Sequence, residues 1–272
     1  MSVFSRFESR TIVRGVLEME TALSVGGRLS LRPTGTDLPV VKGPDGTPFI
    51  PGSSIKGVLR FQAERILRSL TGRADLRACD PFDDPCLADA ARRRPERGED
   101  ERAYAERIWS ASCLVCRLFG SAALGSRLLF KDAHLLNGDD LPVVTQVRDG
   151  VGIDRDLGAA REGIKYDFEV VVPGARFDVE ILAENVEPWE LGFFLSVLRL
   201  WEEGTLAIGG KVTRGPGWGR LRDLIVWRLE RDRLLDYLLG SDVPRVEAGA
   251  FVEAFRRHVA EGGESAHAQD AL

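Results

Sequence analysis

The order of hydrophobic patterns along the chain predicts an α+β domain. Three observations carry this. Apolar and polar residues alternate over 11–23 and again over 128–136, the period of a half-buried strand. Apolar residues recur at helical spacing over 54–70 and again after Pro188. A paired-strand signal at 166–184 and a last strand at 221–229 complete the order strand, helix, strand, strand, helix, strand. That is the β-α-β-β-α-β arrangement of the ferredoxin-like fold, which RNA-recognition modules share.

Each element has a local reason. In the first strand Leu17, Met19, Thr21 and Leu23 alternate with Glu18, Glu20 and Ala22. Residues 24–47 are rich in glycine and proline and read as a long loop. The first helix follows the TPFIPG turn: Ile55, Val58, Leu59, Ala63, Ile66, Leu67 and Leu70 form its apolar stripe, and Ser53 or Ser54 is expected to cap it. Residues 71–120 read as an insertion, and the charge run around 92–107 as a solvated face. Residues 137–166 are polar and glycine-punctuated and are expected to project. VVV and FDVEIL flank Pro173-Gly174-Ala175-Arg176, a hairpin signal. Pro188 suits a helix start, Leu191, Phe194, Leu195 and Leu198 form one stripe, and Gly204 stops the helix. Short helices are expected near 231–239 and 250–258, and a disordered tail after them.

The chain has 272 residues, which suits one large domain or two small ones, and its 44% hydrophobic content is enough for a sizeable core. No apolar run is long enough to span a membrane and the first residues are polar, so the expectation is a cytoplasmic protein without a membrane partner. The net charge of −5 argues against a chain basic on all sides but allows one basic face. Of three histidines, His258 and His267 fall in or near the polar tail, leaving His134 for the core.

Three stretches carry chemistry. The helix start offers free N–H groups and the positive dipole end to an anion, and Lys56 adds a charge where acids are normally preferred. An ordinary capped helix with a tolerated Gly57 is the plain alternative. The loop from Gly209 to Arg220, GGKVTRGPGWGR, joins five glycines to Lys211, Arg214 and Arg220, and polyanion contact is its favoured reading. All four cysteines lie in the insertion, as Cys79-x6-Cys86 and Cys113-x2-Cys116. Four thiolates suit a structural zinc ion, with His134 as a possible substitute ligand and four unpaired thiols as the alternative. Taken alone, Asp37 is a turn residue, and Asp154, Arg155 and Asp156 are solvated loop charges.

Together SVGG, Asp37 with LPVVKGPDGTPFIPGSSIKGVLR, CLVCRLFG, FKDA and IGGKVTRGPGWGRL resemble the RAMP superfamily of CRISPR proteins. The similarity spans about 11–229 and is greatest to the backbone subunits, the Cas-seven class, of type III effector complexes. It implies a single domain. Its ferredoxin-like, RNA-recognition-motif palm is formed by 11–70 and 121–229. A cysteine-containing, zinc-binding insertion occupies 71–120, a thumb hairpin 137–166, and C-terminal helices and a tail 230–272. It implies guide-RNA contacts by Ser53, Ser54, Lys56 and Arg60, by Gly209, Gly210, Lys211, Arg214 and Gly215, and by Arg155. Asp37 corresponds to the catalytic aspartate, cutting target RNA with a divalent cation, magnesium or manganese. Cys79, Cys86, Cys113 and Cys116 hold structural zinc. The implied partners are CRISPR guide RNA, complementary target RNA, further copies of the subunit and other type III effector subunits. Many relatives carry histidine where this chain has Ser24. A non-cleaving backbone subunit and a stand-alone transcript-processing nuclease are the alternatives; the latter type usually uses histidine or tyrosine near the first strand and helix, and no histidine of this chain lies there.

Overall fold

The computed structural model describes residues 4–26, 36–70, 73, 75–87 and 94–269. Parts of the expected 24–47 loop, of the cysteine-bearing segment and of the tail therefore lie outside the described residues. In chain order the elements are β1 (Ser9–Met19), β2 (Phe49–Ile50), α1 (Gly52–Ser69), α2 (Glu101–Ala111), α3 (Leu114–Phe119), β3 (Leu128–Phe130), β4 (Ala133–Leu135), β5 (Thr145–Ile153), β6 (Ala160–Val171), β7 (Arg176–Glu184), α4 (Pro188–Glu202), β8 (Gly219–Glu230), α5 (Leu234–Leu238), β9 (Arg245–Val246) and α6 (Ala248–Gln269). No helix among the described residues is long and apolar enough to cross a membrane.

The main sheet runs β2-β4-β7-β1-β8-β9, with β3 also on β7, and every pairing in it is antiparallel. The α+β expectation holds at this level. β1 is central because its alternation is strict: Val13, Leu17 and Met19 are buried, while Arg10, Arg14 and Glu18 point the other way. That outward face is a ladder of cross-strand ion pairs, Arg10 with Glu184 and Arg14 with Glu180, and Lys131 also reaches Glu180. It therefore presents ion pairs together with one aromatic ring, Trp227, over which Arg14 lies at 5.7 Å.

α4 lies in the core as its stripe predicts. Leu191, Phe194, Leu195 and Leu198 are buried, joined by Phe193, Val197 and Trp201, each contributing about 1.5–3 kcal/mol or more of burial. Pro188 occupies its first turn and Gly204 ends it at φ 72°. α6 packs on α4 and runs to Gln269, past the point where a disordered tail was expected. His258 is not a tail residue: its ring stacks on Trp189 at 3.9 Å and its Nε2 lies 2.7 Å from Asp75. His134, placed in the core from sequence, is instead exposed on β4 beside Phe49.

Two strand readings change. The 128–136 strand breaks into β3 and β4, because Asp132 leaves the ladder and its carboxylate accepts from the Gly52 N–H at 2.7 Å. The 166–184 hairpin does not form. The chain turns at Pro173-Gly174, but Gly174 and Ala175 bond to Met19, which parts the two arms. β7 joins β1, while β6 pairs with β5 over Thr145–Val171 to Ile153–Ala160 as a separate two-stranded sheet. The projecting excursion is thus a hairpin whose second arm extends to Val171.

One buried ion pair closes the core. Arg127 donates from Nη1 and Nη2 to the Glu190 carboxylate, each at 2.7 Å, and from Nε and Nη1 to the Arg117 and Asn185 carbonyls. Both side chains are 2–3% exposed. Arg127→Met leaves Glu190 buried without its partner and should cost about 3–5 kcal/mol, whereas adding Glu190→Leu should restore much of it. Urea unfolding with an unchanged slope is the measurement; a single variant as stable as the parent contradicts the role given to the pair.

Candidate functional site

The site gathers at the root of the β5–β6 hairpin, where β6 has two partners. One edge bonds β5. Along the other, Leu38 N–H donates to the Asp167 carbonyl, Glu169 N–H to the Leu38 carbonyl, and Leu23 exchanges both bonds with Val171. Residues 38–40 therefore run parallel to β6 at Phe168. Glu169 locks them: its carboxylate accepts from Val40 N–H at 3.1 Å and from Lys42 Nζ at 2.6 Å. Burial pushes this carboxyl up, but the bonds from Lys42, Thr145 and Val40 outweigh it and hold it below its ordinary value.

Asp37 sits at the exposed end of this segment, and its Oδ2 accepts from the Asp167 N–H at 3.1 Å. Beside it, Asp167 stands opposite Asp149 on β5. The Asp149 bond pushes the Asp167 carboxyl up, and Lys165, 3.1 Å from Asp149, holds Asp149 down.

The glycine loop meets the same strand. Lys211 Nζ lies 4.5 Å over the Phe168 ring, and Arg214 donates to the Tyr166 hydroxyl at 3.0 Å. Ser24 anchors the loop: its carbonyl accepts from Gly210 N–H at 2.7 Å, and a Cβ on Gly209 (φ 93°) would come within 2.6 Å of that oxygen. The close approach that Gly209 permits is thus to the protein's own backbone, while Gly215 (φ 106°) faces open space. Lys211 itself is left-handed at φ 62°.

The helix start differs from its expected form. α1 begins at Gly52 with Pro51 as its cap residue and no side-chain cap bond, so neither Ser53 nor Ser54 caps it; the Asp132 carboxylate takes the first N–H instead. Ser53 and Gly57 are exposed and Ser54 and Lys56 half-buried. Partial burial and then the charge of Arg60 push the Lys56 ammonium below its ordinary value. Arg60 faces inward, donating to Glu64 at 2.9 Å and to the Gly120 carbonyl at 2.9 Å. Arg155 stands in the hairpin turn, roughly 20 Å farther out than Asp149. The structure thus joins Asp37 to Lys211 and Arg214 through β6 and leaves Arg155 apart from them.

The four cysteines converge. Cys79 and Cys86 come from the loop before α2, Cys113 caps α3 and Cys116 lies in its first turn, and their sulfurs all lie within 4.8 Å of one another. Cys79 and Cys116 are 3.5 Å apart and Cys113 and Cys79 3.7 Å, near the ~3.8 Å expected between thiolates around one zinc ion. Backbone N–H groups of Cys79, Cys113 and Cys116 point at sulfurs. Crowding splits the thiols: bonds from Cys116 and Cys86 drive Cys113 far down, Cys116 is driven far up, and Cys86 is pushed to about 11. His134 is not in the group, which is the one set of three or more such ligands among the described residues.

Fold and site together describe an antiparallel α/β chain with a four-thiol centre and a hairpin whose root gathers a carboxylate and two cations. A sequence model of the RAMP superfamily matches residues 11–222, and the chain belongs to that superfamily. It is 26% identical over 229 residues, 80% of each chain, to a protein of Methanocaldococcus jannaschii named CRISPR system Cms endoribonuclease Csm3. To the protein of that name from Methanothermobacter thermautotrophicus it is 25% identical over 262 residues, 87% of this chain and 91% of the relative.

Sequence reasoning did not find Asp149, Tyr166, Asp167, Phe168 or Glu169. Their roles depend on β6 pairing with β5 and with 38–40, which no local pattern signals. Glu169→Ala should raise amide exchange at Val40 by about tenfold or more, because bonds to a buried carboxylate are each worth about 1.5–3 kcal/mol. In the parent, this attachment should be full at neutral pH and fall away as pH drops below about 4, since the carboxyl is held low in the folded chain. Unchanged exchange over 38–42 in the variant would show that another contact holds the segment.

Proposed function

We propose that the chain is a backbone subunit of a type III CRISPR RNA-guided complex, stacking with further copies and other effector subunits along one guide RNA. It cleaves complementary target RNA at Asp37. The observation that carries this reading is the attachment of the Asp37 segment to β6 at the hairpin root. In this reading the main sheet with α1 and α4 is a ferredoxin-like palm, the β5–β6 hairpin is the thumb that interrupts guide–target pairing, and 71–120 is the zinc-binding insertion. Ser53, Ser54, Lys56, Lys211, Arg214 and the backbone of Gly209, Gly210 and Gly215 grip guide phosphates and ribose without reading bases. Arg60 supports the grip by holding α1 rather than by touching RNA, and Arg155 meets RNA only where the thumb tip does.

Cleavage is attack of a ribose 2′-hydroxyl on the adjacent phosphate. The new O2′–P bond forms as the bond to the 5′ oxygen breaks, giving a 2′,3′-cyclic phosphate; the leaving 5′ oxygen takes a proton from water, and the 2′-hydroxyl proton passes to a base. Asp37 has one oxygen fixed by the Asp167 N–H, so its other oxygen is oriented to take that proton or to hold a cation. A bound magnesium or manganese ion would offset charge on the phosphate. Asp37 is the residue that would hold it. At a nucleotide unstacked by the thumb, alignment of the 2′-hydroxyl with its phosphate is a positioning effect.

The cysteine centre holds one structural zinc ion that fixes 76–87 against α3. Metal analysis should find one zinc per chain, and a chelator should speed proteolysis of 76–120 while leaving the sheet intact; zinc-free fresh protein contradicts this.

Asp37→Ala should lower cleavage of an end-labelled complementary RNA by the assembled complex about 10²–10⁴-fold. Target binding measured in parallel should be unchanged, because the side chain is exposed. Cutting at the parental rate overturns the assignment, and loss of binding together with cutting makes Asp37 structural.

A further inference from the structure

The two faces of the hairpin root have opposite chemistry. Side chains alternate across a strand. On one face Asp149 stands opposite Asp167, with Lys165 beside them. On the other, Arg148 stands opposite Phe168, and Gly150 opposite Tyr166. The glycine matters: a Cβ there would come within 2.3 Å of the Tyr166 ring, so the ring covers the backbone of β5 at Gly150. Tyr166 and Phe168 lie 6.1 Å apart, tilted by 33°, and both are half-buried.

The cations on this face are held by neutral groups. Arg214 bonds the Tyr166 hydroxyl, Lys211 lies over the Phe168 ring, and Arg148 faces the Gln146 amide, whose oxygen accepts from it once the amide is turned to suit both groups. Among the described residues none of the three has an acidic partner, whereas on the opposite face Lys165 pairs with Asp149, and in the main sheet Arg10, Arg14 and Arg220 pair with Glu184, Glu180 and Glu20. Contacts to neutral groups are weak, about 0.5–1 kcal/mol for an exposed cation over a ring, so an anion can take over these cations at little cost.

We infer that the Tyr166–Phe168 face is a binding subsite for an unpaired base of single-stranded RNA, stacked on the aromatic rings, with Arg148, Lys211 and Arg214 donating to its flanking phosphates. Unstacked bases are recognised on aromatic and guanidinium planes, and such stacking is tolerant of sequence. The subsite lies across β6 from the acidic face beside Asp37, so a base held there keeps its nucleotide at the hairpin root. This rests on the RNA-binding reading above and adds to it the residues that receive a displaced base.

The test uses the full chain and a single-stranded RNA oligomer carrying 4-thiouridine. Ultraviolet cross-linking with peptide mapping should place adducts on Tyr166 or Phe168. In anisotropy titrations, Tyr166→Ala and Phe168→Ala should each weaken binding about tenfold, and Tyr166→Phe, which keeps the ring, should not. The two alanine variants should keep the parental salt slope, because stacking releases no counterions, whereas Lys211→Ala with Arg214→Ala should flatten it. Adducts confined to other segments, or alanine variants that bind as the parent does while the lysine and arginine variants bind weakly, overturn the stacking site and leave RNA binding standing. If the Lys56, Lys211 and Arg214 variants also bind as the parent does, the RNA-binding reading falls with it.

Discussion

Everything at the site depends on β6 having two occupied edges. A lone two-stranded hairpin is marginal in water, and among the described residues β5 and β6 pair with no third strand of the main sheet. What ties the hairpin root to the body is the second edge, where the backbone groups of Asp167, Glu169 and Val171 bond Asp37, Leu38 and Leu23. The same bonds that anchor the hairpin therefore set the position of Asp37. The buried Glu169 carboxylate extends the seam to Val40 and Lys42. Because Leu23 also precedes Ser24, whose carbonyl holds the glycine loop, the seam carries the loop cations to the same place.

The cysteine cluster is joined to α1. One face of that helix is core: Ile55, Leu59, Ala63 and Leu67 are buried. Its arginines grip the cysteine-bearing segment, Arg60 through the Gly120 carbonyl after α3 and Arg68 through the Cys79 carbonyl at 2.6 Å. The last part of that segment is no outlying decoration, since Leu114, Val115, Leu118 and Phe119 are buried in the main core.

Long periodic elements were legible in the sequence. β1, α1, α4 and β8 announce themselves by alternation or helical spacing, and the superfamily by its glycine and PGSSIKG motifs. The clustering of the four cysteines was legible in their confinement to one insertion and in the Cys113-x2-Cys116 pair, while the Cys79-x6-Cys86 spacing pointed to it less directly. What was hidden is tertiary. VVV-PGAR-FDVEIL is a sound local hairpin signal, yet the partner of β6 is TQVRDGVGI, a segment too polar and glycine-broken to read as a strand. The serine cap lost to Asp132, eighty residues away, and the Arg127–Glu190 pair joins residues sixty-three apart. Local rules rank local partners, and these groups found better ones across the fold. Arg60, midway along α1, is held by a local partner, Glu64, and by a distant one, the Gly120 carbonyl.

The central claim is that attachment to β6, and not the mere presence of an aspartate in a loop, makes Asp37 effective. Single-turnover cleavage of a complementary RNA by complexes carrying Glu169→Ala tests it most directly. That variant leaves Asp37 intact and loosens only its seam. The account predicts a cleavage rate reduced by at least tenfold, in line with the loss of the bonds from Val40 and Lys42 to a buried carboxylate, with unchanged target affinity. Cleavage at the full parental rate, with the segment shown to be loosened, would contradict it.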